Sequence, residues 1–173
     1  LGAVSSFPAA AGASRALYKV GTSATSAALH NLQIIMTATD ADTLDAVLEE
    51  GGKFASEVTQ PLNLGGDAEG CTLDKATHAV RTPKGFKEAY AKYVEGGWAA
   101  LSCDTAYGGQ GLPFVANQCF YEMLNGANQA WTMYPGLSHG AYEALHAHGT
   151  DEQKKVYLPK LTSGEWTGTM CLT

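Results

Sequence analysis

Histidine and acidic side chains are the residues of this 173-residue chain that could do acid–base or metal chemistry. His139 and His146 are seven residues apart in a stretch with helical periodicity, so both lie on one helix face, which His148 does not share. A metal site would need carboxylate or thiolate ligands close by, and the nearest acid, Glu143, has the wrong phase for a compact cluster. The spacing therefore favours solvent-facing or helix-terminal histidines over a metal site.

Glu122 is the other candidate for a general base, because it is the single acid in a long apolar stretch. Its helical neighbours at three and four residues are Gln118, Cys119, Asn125 and Gly126, none of which is a nucleophile–base partner for it. We therefore predict that Glu122 lies on a narrow polar strip of a buried helix. No nucleophile, base and orienting group occur together, so residue chemistry alone names no reaction.

A glycine-rich turn, residues 106–112 (AYGGQGL), precedes a predicted helix start at Pro113. Backbone amides of such turns can bind phosphate at a helix N-terminus. The spacing matches neither the dinucleotide-binding fingerprint nor a P-loop, and no clear strand precedes it. A structural turn is the favoured interpretation, with phosphate binding as the alternative.

Composition excludes several function classes. The chain has 11 basic and 17 acidic residues, a net charge of −6, and no basic cluster, which argues against nucleic-acid binding. No run approaches the roughly 18 to 20 apolar residues that span a bilayer. The four cysteines are far apart without a Cys-x-x-Cys pair, so we expect neither zinc nor a disulfide framework, and a reducing intracellular compartment.

Apolar periodicity predicts the helices that would position these groups. One apolar face, a proline or glycine stop and a polar cap mark each of them. The predicted helices are Asp42 to about Gln60, Thr82 to about Gly96, Pro113 to about Asn128, and about Thr132 to His148. Between them, residues 64–70 read as a loop and residues up to Arg81 as a surface connection.

The last helix has a capping signal. Thr150 can cap it and Gln153, three residues on, completes a capping box. Pro159 disfavours a long continuation, and Ser163-Gly164 is a stop signal.

An alternating pattern follows that helix and predicts a strand. Trp166, Gly168, Met170 and Leu172 alternate with more polar residues. A single strand leaves its backbone groups unpaired, and no second convincing strand is evident upstream. We expect an all-α helical bundle with one C-terminal β-strand, the start of a β region.

The first 39 residues differ in kind from the rest. They contain Arg15 and Lys19 but no acid, and residues 1 to about 28 are rich in Ala, Ser and Gly without periodicity. A disordered leader or arm is the favoured interpretation, and a transit-peptide remnant is the alternative. The predicted organisation is a leader or arm over 1–39, a helical domain over 40–164 and the first strand of a further domain over 165–173.

Three motifs resemble the acyl-CoA dehydrogenase family, in its N-terminal helical domain and the entry to its middle β domain. They are YGGQGLP at 107–113, GTDEQKKVYLPKL at 149–161 followed by Ser163-Gly164-Glu165, and MCLT at 170–173. Residues 43–63 and 66–71 are most similar to the larger subgroup that includes enzymes acting on 3-methylthiopropanoyl-CoA. The likeness covers about residues 40–173 and implies a fragment of a parent protein with an α, a β and a second α domain.

The resemblance implies a flavin site and an acyl pocket. Residues Met170, Cys171, Leu172 and Thr173 match the opening of the family's flavin signature and would pass beside the isoalloxazine of FAD, with Thr173 near its N5 edge. A gapless alignment places the acyl-pocket wall on Trp131, Thr132, Met133 and Gly136. The alternative is that Trp131 and Met133 are simply core residues.

The family reaction is α,β-dehydrogenation of an acyl-CoA thioester, with hydride transfer to flavin. Its base is in most members a glutamate of the C-terminal helical domain, so no catalytic residue is expected within these 173 residues, and we expect this chain alone to be inactive. The resemblance also implies electron-transfer flavoprotein as acceptor, a homo-oligomer for the full protein, and a bacterial cytoplasmic or mitochondrial matrix location.

Two other functions remain open at this level. A stand-alone helical interaction module could keep the family fold without the enzyme, and an acyl-CoA oxidase would share the same motifs. A coding sequence that continues after Thr173 with Glu-x-x-x-Gly-Ser/Thr-Asp supports the enzyme, whereas a stop codon supports the module.

Overall fold

The structure, a computed structural model, describes residues 41–171. The predicted leader or arm over 1–39 lies outside the described residues, as do Leu172 and Thr173. The described chain is mostly helical, which confirms the predicted class. Its α-helices are α1 (Ala41–Phe54), α2 (Asn63–Glu69), α3 (Phe86–Glu95), α4 (Phe114–His148) and α5 (Asp151–Thr162).

Helix α1 buries the face that its periodicity predicts. Leu44, Leu48 and Phe54 are buried. The helix continues into a widened π-type turn, Ala55–Thr59, and a 3₁₀ turn, Gln60–Leu62, which contains Pro61. A side chain of α4 also donates to the Thr59 carbonyl at the end of this turn, as described below.

Helix α2 occupies residues that the sequence predicts as a loop, so that prediction is wrong. Two glycines lower its helical propensity, but Gly66 packs directly on another helix. A Cβ at Gly66 would lie 2.7 Å from two ring carbons of Phe86, so tertiary packing requires the glycine here. The helix ends at Gly70, whose φ of +64° suits glycine.

A small antiparallel hairpin follows, β1 (Thr72–Leu73) with β2 (Val80–Arg81). The Asp74 carboxylate accepts a hydrogen bond from the Ala76 amide at 2.8 Å and closes the turn. Residues 71–82 are exposed, which agrees with the predicted surface connection. The pairing of the two strands was not predicted. The two strands are too short to form a layer of the fold.

Helix α3 begins later than the cap signal at Thr82 predicts. Its first residue is Phe86, and Gly85 precedes it at φ +87° without any side-chain cap. A Cβ at Gly85 would meet Leu62 Cδ2 at 2.6 Å, so the approach of the 3₁₀ turn decides where this helix begins. The predicted stop at Gly96-Gly97 is confirmed.

The main core is an aromatic cluster between α1, α3 and α4. Phe54 contacts four rings, those of Tyr93, Trp98, Phe120 and Trp131, at centroid separations of 6.1–6.2 Å. Aromatic pairs add about 0.5–1.5 kcal/mol each beyond the area they bury. A second, smaller cluster, formed by Cys103, Tyr142, Leu158 and Leu161, joins α4 to α5.

Helix α5 begins as its sequence predicts. The Thr150 hydroxyl accepts from the Gln153 amide at 3.3 Å, and the Gln153 side chain accepts from the Thr150 amide at 2.9 Å. The helix passes through Pro159 and ends at Thr162, before the predicted stop.

The predicted strand from Trp166 does not form over residues 165–171. Strand geometry needs ladder partners, and within residues 41–171 no strand lies beside this segment. It instead runs over α4. The domain limits at residues 40, 164 and 165 stay predictions.

Candidate functional site

Helix α4 is the scaffold of the candidate site, and it is broken at Asn128. This residue is 1% exposed and has φ −159° and ψ 88°, values outside the helical region. Its side-chain oxygen accepts from the Trp131 amide at 3.1 Å, which caps the second half of the helix. Its side-chain nitrogen donates to the Thr59 carbonyl at 3.1 Å. The two predicted helices, ending near Asn128 and beginning near Thr132, are therefore the two halves of α4, which meet at this capped break.

Two of the four predicted acyl-pocket residues are core residues. Trp131 is 2% exposed, and its indole nitrogen donates to the Phe86 carbonyl at 3.2 Å. Thr132 is also buried, and its hydroxyl donates to the Asn128 carbonyl at 2.8 Å. Both residues stabilise the packing of α4, so the core interpretation of Trp131 is confirmed.

The other two predicted pocket residues lie at the surface of α4. Met133 is 59% exposed, so it is not part of the core that residues 41–171 form. Gly136 is half-buried, and a Cβ there would make only an ordinary 3.5 Å contact with Tyr121. Packing among residues 41–171 therefore does not require glycine at 136. Met133 and Gly136 are available to line a pocket with a ligand or with further protein.

The C-terminal segment, residues 163–171, is fixed at its start by α3 and α5. Gly164 turns the chain at φ +72°, and its carbonyl accepts from the Tyr90 hydroxyl at 3.0 Å. The Trp166 amide donates to the Lys160 carbonyl at 3.1 Å. The Lys160 ammonium contacts both Glu165 carboxylate oxygens, at 2.8 and 2.6 Å.

The same segment then lies against α4. The Gly168 amide donates to the Ser138 hydroxyl at 3.1 Å. A Cβ at Gly168 would be 2.5 Å from Ala141 Cβ and 3.1 Å from the Leu137 carbonyl, so only glycine fits without movement. The segment thus meets α4 at Leu137, Ser138 and Ala141, close in sequence to Gly136.

The last described residues are suited to an aromatic ligand with a polar edge, such as the expected flavin. Met170 is 66% exposed and Cys171 is exposed. Within residues 41–171, the amides of Thr169, Met170 and Cys171 donate to no protein acceptor. An apolar side chain beside free amides can contact the face of an aromatic ring and donate hydrogen bonds to a polar ring edge. Leu172 and Thr173, the other two predicted flavin residues, lie outside the described residues.

A cavity of about 10 Å³, roughly the space of one water molecule, lies between α3, α4 and α5. Polar side chains of α3, of α4 and of the segment between these two helices line it: Tyr90, Tyr93, Cys103, Ser138, His139 and Tyr142. Burial raises the pKa of Tyr90, Tyr121 and Tyr142 to about 12 and that of Cys103 to about 11. None of these tyrosine and cysteine groups ionises near neutral pH, so they offer no anionic base or nucleophile.

His139 is held in a stack of rings. Its imidazole lies 5.9 Å from the Phe114 ring and 6.1 Å from the Tyr142 ring, both nearly parallel. Nε2 is buried without a hydrogen-bond partner, 3.5 Å from the Glu143 carboxylate. Burial lowers the pKa of His139, and this outweighs the opposite effect of Glu143. His139 is therefore neutral at pH 7, and the expected solvent-facing position is wrong for it.

His146 packs near a loop acid rather than near His139. Its Nε2 lies 3.3 Å from an Asp104 carboxylate oxygen. The Ala106 amide, and then His146, lower the pKa of Asp104 by hydrogen bonding to its carboxylate. Within residues 41–171, no three His, Cys, Asp or Glu side chains are grouped so that they could hold a metal ion.

The glycine-rich turn uses its amides internally. Gly109, Gln110, Gly111 and Leu112 donate to carbonyls between residues 100 and 104 at 2.9–3.0 Å. These amides are not free for phosphate, which supports the structural-turn interpretation. Glu122 is exposed, as predicted for the polar strip of α4.

Asn128, Ser138 and Gly168 were missed by the sequence reasoning. A glycine within an alternating strand pattern is a known signal of close backbone approach, and Gly168 carries that signal. Nothing in the sequence distinguishes Ser138 from other helix serines, because its partner is 30 residues away.

Three features of the described part bear on its environment. None of the helices within residues 41–171 has both the length and the apolar character needed to cross a bilayer. All four cysteines are free thiols, and two of them, Cys103 and Cys119, are buried.

Comparison with known proteins gives a consistent result. A family profile described as "Acyl-CoA dehydrogenase, N-terminal domain" matches residues 68–165. A 3-methylmercaptopropionyl-CoA dehydrogenase of Ruegeria pomeroyi is 42% identical over 132 residues. A butyryl-CoA dehydrogenase of Syntrophomonas wolfei is 36% identical over 133 residues, and a broad-specificity linear acyl-CoA dehydrogenase of Mycobacterium tuberculosis is 34% identical over 134 residues.

These alignments cover 76–78% of the chain but only 22% of each relative. The chain thus spans about a fifth of the length of the curated relatives that it matches.

Proposed function

This chain belongs to the acyl-CoA dehydrogenase family, and we propose that it is the N-terminal helical part of an FAD-dependent enzyme that dehydrogenates an acyl-CoA thioester between its α and β carbons. In that protein, α4 would form part of the acyl-pocket wall through Met133 and Gly136. Residues 170–173 would form the first flavin-contacting segment.

One observation carries this proposal more than any other. The C-terminal segment docks at Ser138, two residues from Gly136, and ends in exposed Met170 beside unpaired amides. A single helix therefore supports both the candidate pocket residues and the candidate flavin segment. The family reaction requires acyl chain and flavin to be neighbours, and this arrangement is compatible with that requirement.

The chemistry within this chain would be positioning rather than proton transfer. When bound, FAD supplies the acceptor for the hydride that leaves the β carbon. Met170 and the amides that follow would contact the ring, while Met133 would exclude water from the acyl chain. The buried tyrosines, Cys103 and His139 have no part in the reaction, and the base would come from another region of the complete protein.

The substrate would be an acyl-CoA with a short acyl group. Two of the relatives are named for 3-methylmercaptopropionyl-CoA and butyryl-CoA. The exposed Met133 side chain, beside a glycine that packing does not require, provides a flexible apolar wall for such a group. Electron-transfer flavoprotein would accept the electrons, and the complete protein would be a homo-oligomer.

We further propose a reducing intracellular location, in a bacterial cytoplasm or a mitochondrial matrix. The four free thiols support it, because two exposed cysteines, Cys71 and Cys171, would be prone to oxidation elsewhere.

The test is purification of the complete protein that contains this chain. We expect bound flavin, bleaching of its absorption on addition of 3-methylmercaptopropionyl-CoA or butyryl-CoA, and turnover with an artificial electron acceptor. Rapid reoxidation of the reduced flavin by oxygen alone would identify an oxidase instead. A complete protein without flavin, and without binding to either thioester, would contradict the proposal.

A further inference from the structure

The C-terminal segment is held by three helices rather than by a sheet. Tyr90 of α3 holds Gly164, the Lys160 carbonyl of α5 holds the Trp166 amide, and Ser138 of α4 holds the Gly168 amide. The Trp166 ring also contacts the Tyr157 ring at 5.8 Å. These contacts occur at every second residue, so the path of the segment is fixed up to Gly168.

Gly168 is the closest point of approach between the segment and α4. An added methyl group would overlap with Ala141 Cβ at 2.5 Å and crowd Ser138 Cα at 3.2 Å. Backbone and a short side chain on a helix cannot bend away as the end of a long side chain can. An alanine here would therefore push the segment away from the helix.

The Ser138 hydroxyl both donates and accepts a hydrogen bond. It donates to the Tyr134 carbonyl at 3.4 Å and accepts from the Gly168 amide at 3.1 Å. The residue is 9% exposed, so water cannot easily replace either bond. We call Ser138 and Gly168 together the latch.

We propose that the latch positions the flavin-contacting segment, so that Ser138 and Gly168 are positioning residues for hydride transfer. This inference rests on the proposed function. Gly168 is two residues before Met170, and extended chain advances about 3.3 Å per residue. A shift at Gly168 is therefore expected to move Met170 and Cys171 as well. An error of about 1 Å in such an alignment can lower a rate about a hundredfold.

The first test needs no cofactor. Hydrogen exchange of the Gly168 amide is followed by NMR in the 173-residue chain, for wild type and Ser138→Ala. We expect the variant amide to exchange about threefold to tenfold faster, as loss of one hydrogen bond predicts. Ser56→Ala, an exposed serine that bonds only to its own helix, is the matched control and should leave Gly168 unchanged. Equal exchange in wild type and Ser138→Ala would contradict the latch.

The second test uses the flavin-loaded complete protein. Gly168→Ala should lower the rate constant of flavin reduction about tenfold to a hundredfold and shift the flavin absorption bands, with little change in KM. Gly168→Ala combined with Ala141→Gly removes the closest overlap and should restore part of the rate. Thr167→Ala, in the same segment and exposed, is the control for a simple loss of stability. If Gly168→Ala does not fold, Ser138→Ala tests the proposal in its place. This variant should also lower kcat with little change in KM.

The outcomes separate the two proposals. A wild-type complete protein without flavin contradicts the proposed function, and the positioning role falls with it. A wild type that binds flavin and reduces it, together with latch variants that match it in spectrum and reduction rate, contradicts the positioning role alone.

Discussion

Several side chains of types that often take part in catalysis have a structural role in this chain. Tyr93 lies 3.3 Å from Tyr121, oxygen to oxygen, and burial raises both pKa values. Cys103 donates to a helix carbonyl, and His139 is stacked between rings. The exposed Met133, by contrast, is not part of the core that residues 41–171 form. At the residue scale, then, these titratable groups serve packing, and we propose that the function depends on apolar surface positions such as Met133.

The buried His139 predicts a pH dependence of stability. Its pKa is lowered from 6.5 in the folded state, so the unfolded state binds more protons below that pH. Stability therefore falls as the pH drops below about 6.5, by at most ~1.4 kcal/mol per pH unit. In urea unfolding between pH 7.5 and 5.5, the free energy of unfolding of His139→Gln should depend less on pH than that of wild type. His148→Gln, an exposed control, should retain it, and equal slopes for His139→Gln and wild type would contradict the assignment.

Met133 predicts a change of specificity without a change of stability. Because the side chain is exposed, Met133→Ala should change the unfolding free energy by less than about 0.5 kcal/mol. In the complete protein it should raise kcat/KM for longer acyl chains relative to butyryl-CoA by about tenfold, as added pocket space allows. Met123→Ala, which removes a side chain packed on the core, should instead cost about 1–3 kcal/mol and leave the ratio unchanged.

At the scale of elements, the break in α4 sets the direction of its second half. Residues 129–148 carry Met133, Gly136 and Ser138, so any rotation of this half moves the candidate pocket and the latch together. The Asn128 side chain joins that half to the π-type turn after α1 through two hydrogen bonds. Its amide group is suited to this role because it can donate and accept at once.

Asn128→Ala should therefore be among the more destabilising single substitutions. It removes a helix cap and the buried hydrogen bond to the Thr59 carbonyl, which together cost about 1–3 kcal/mol. Asn128→Ser keeps a capping side chain but cannot reach Thr59. Its free energy of unfolding, measured with urea, should lie between those of wild type and Asn128→Ala. Asn125→Ala, an exposed asparagine three residues earlier, is the control. A similar loss for Asn125→Ala would show that Asn128 has no special role.

The sequence has two helix-cap signals, Thr82 and Thr150, and the structure shows that only Thr150 caps a helix. Their substitution should therefore lower stability by different amounts. Thr150→Ala should cost about 1 kcal/mol, because its hydroxyl caps α5. Thr82→Ala should cost less than about 0.5 kcal/mol, since α3 begins at Phe86 and Thr82 caps nothing. Thermal unfolding of the two variants beside wild type measures both. Equal losses would mean that Thr82 stabilises the entry to α3 by another route.

At the scale of the whole molecule, the described part is a helical bundle with an uncovered apolar surface. Phe114, Met133, Tyr134, Trp166 and Met170 are exposed, and the chain spans about a fifth of its curated relatives. In the proposed enzyme, the remaining four fifths would supply most flavin contacts and the base.

The 173-residue chain by itself should accordingly bind FAD weakly or not at all. Only one segment of it is proposed to contact the ring, which is a small share of a cofactor site. Titration of the chain with FAD, followed by flavin fluorescence and isothermal calorimetry, should give no saturable binding at micromolar concentration. Tight stoichiometric binding would contradict this expectation.

The sequence by itself determined the helical class, the aromatic face of α3, the capping box of α5 and the break near Asn128. These features depend on residues within a few positions of one another, which local physics links. The family motifs, also local, identified where a flavin segment is expected.

Only the tertiary structure decided the rest. The close packing of Phe86 on Gly66 explains why a glycine stands within helix α2. Trp131 is buried in the core, whereas Met133 lies at the surface. The segment that was expected to form a strand lies on α4 instead. The Ser138–Gly168 hydrogen bond joins residues 30 positions apart, a contact that no local pattern specifies. Partners distant in sequence fix these features, because burial and close approach depend on which elements meet in space.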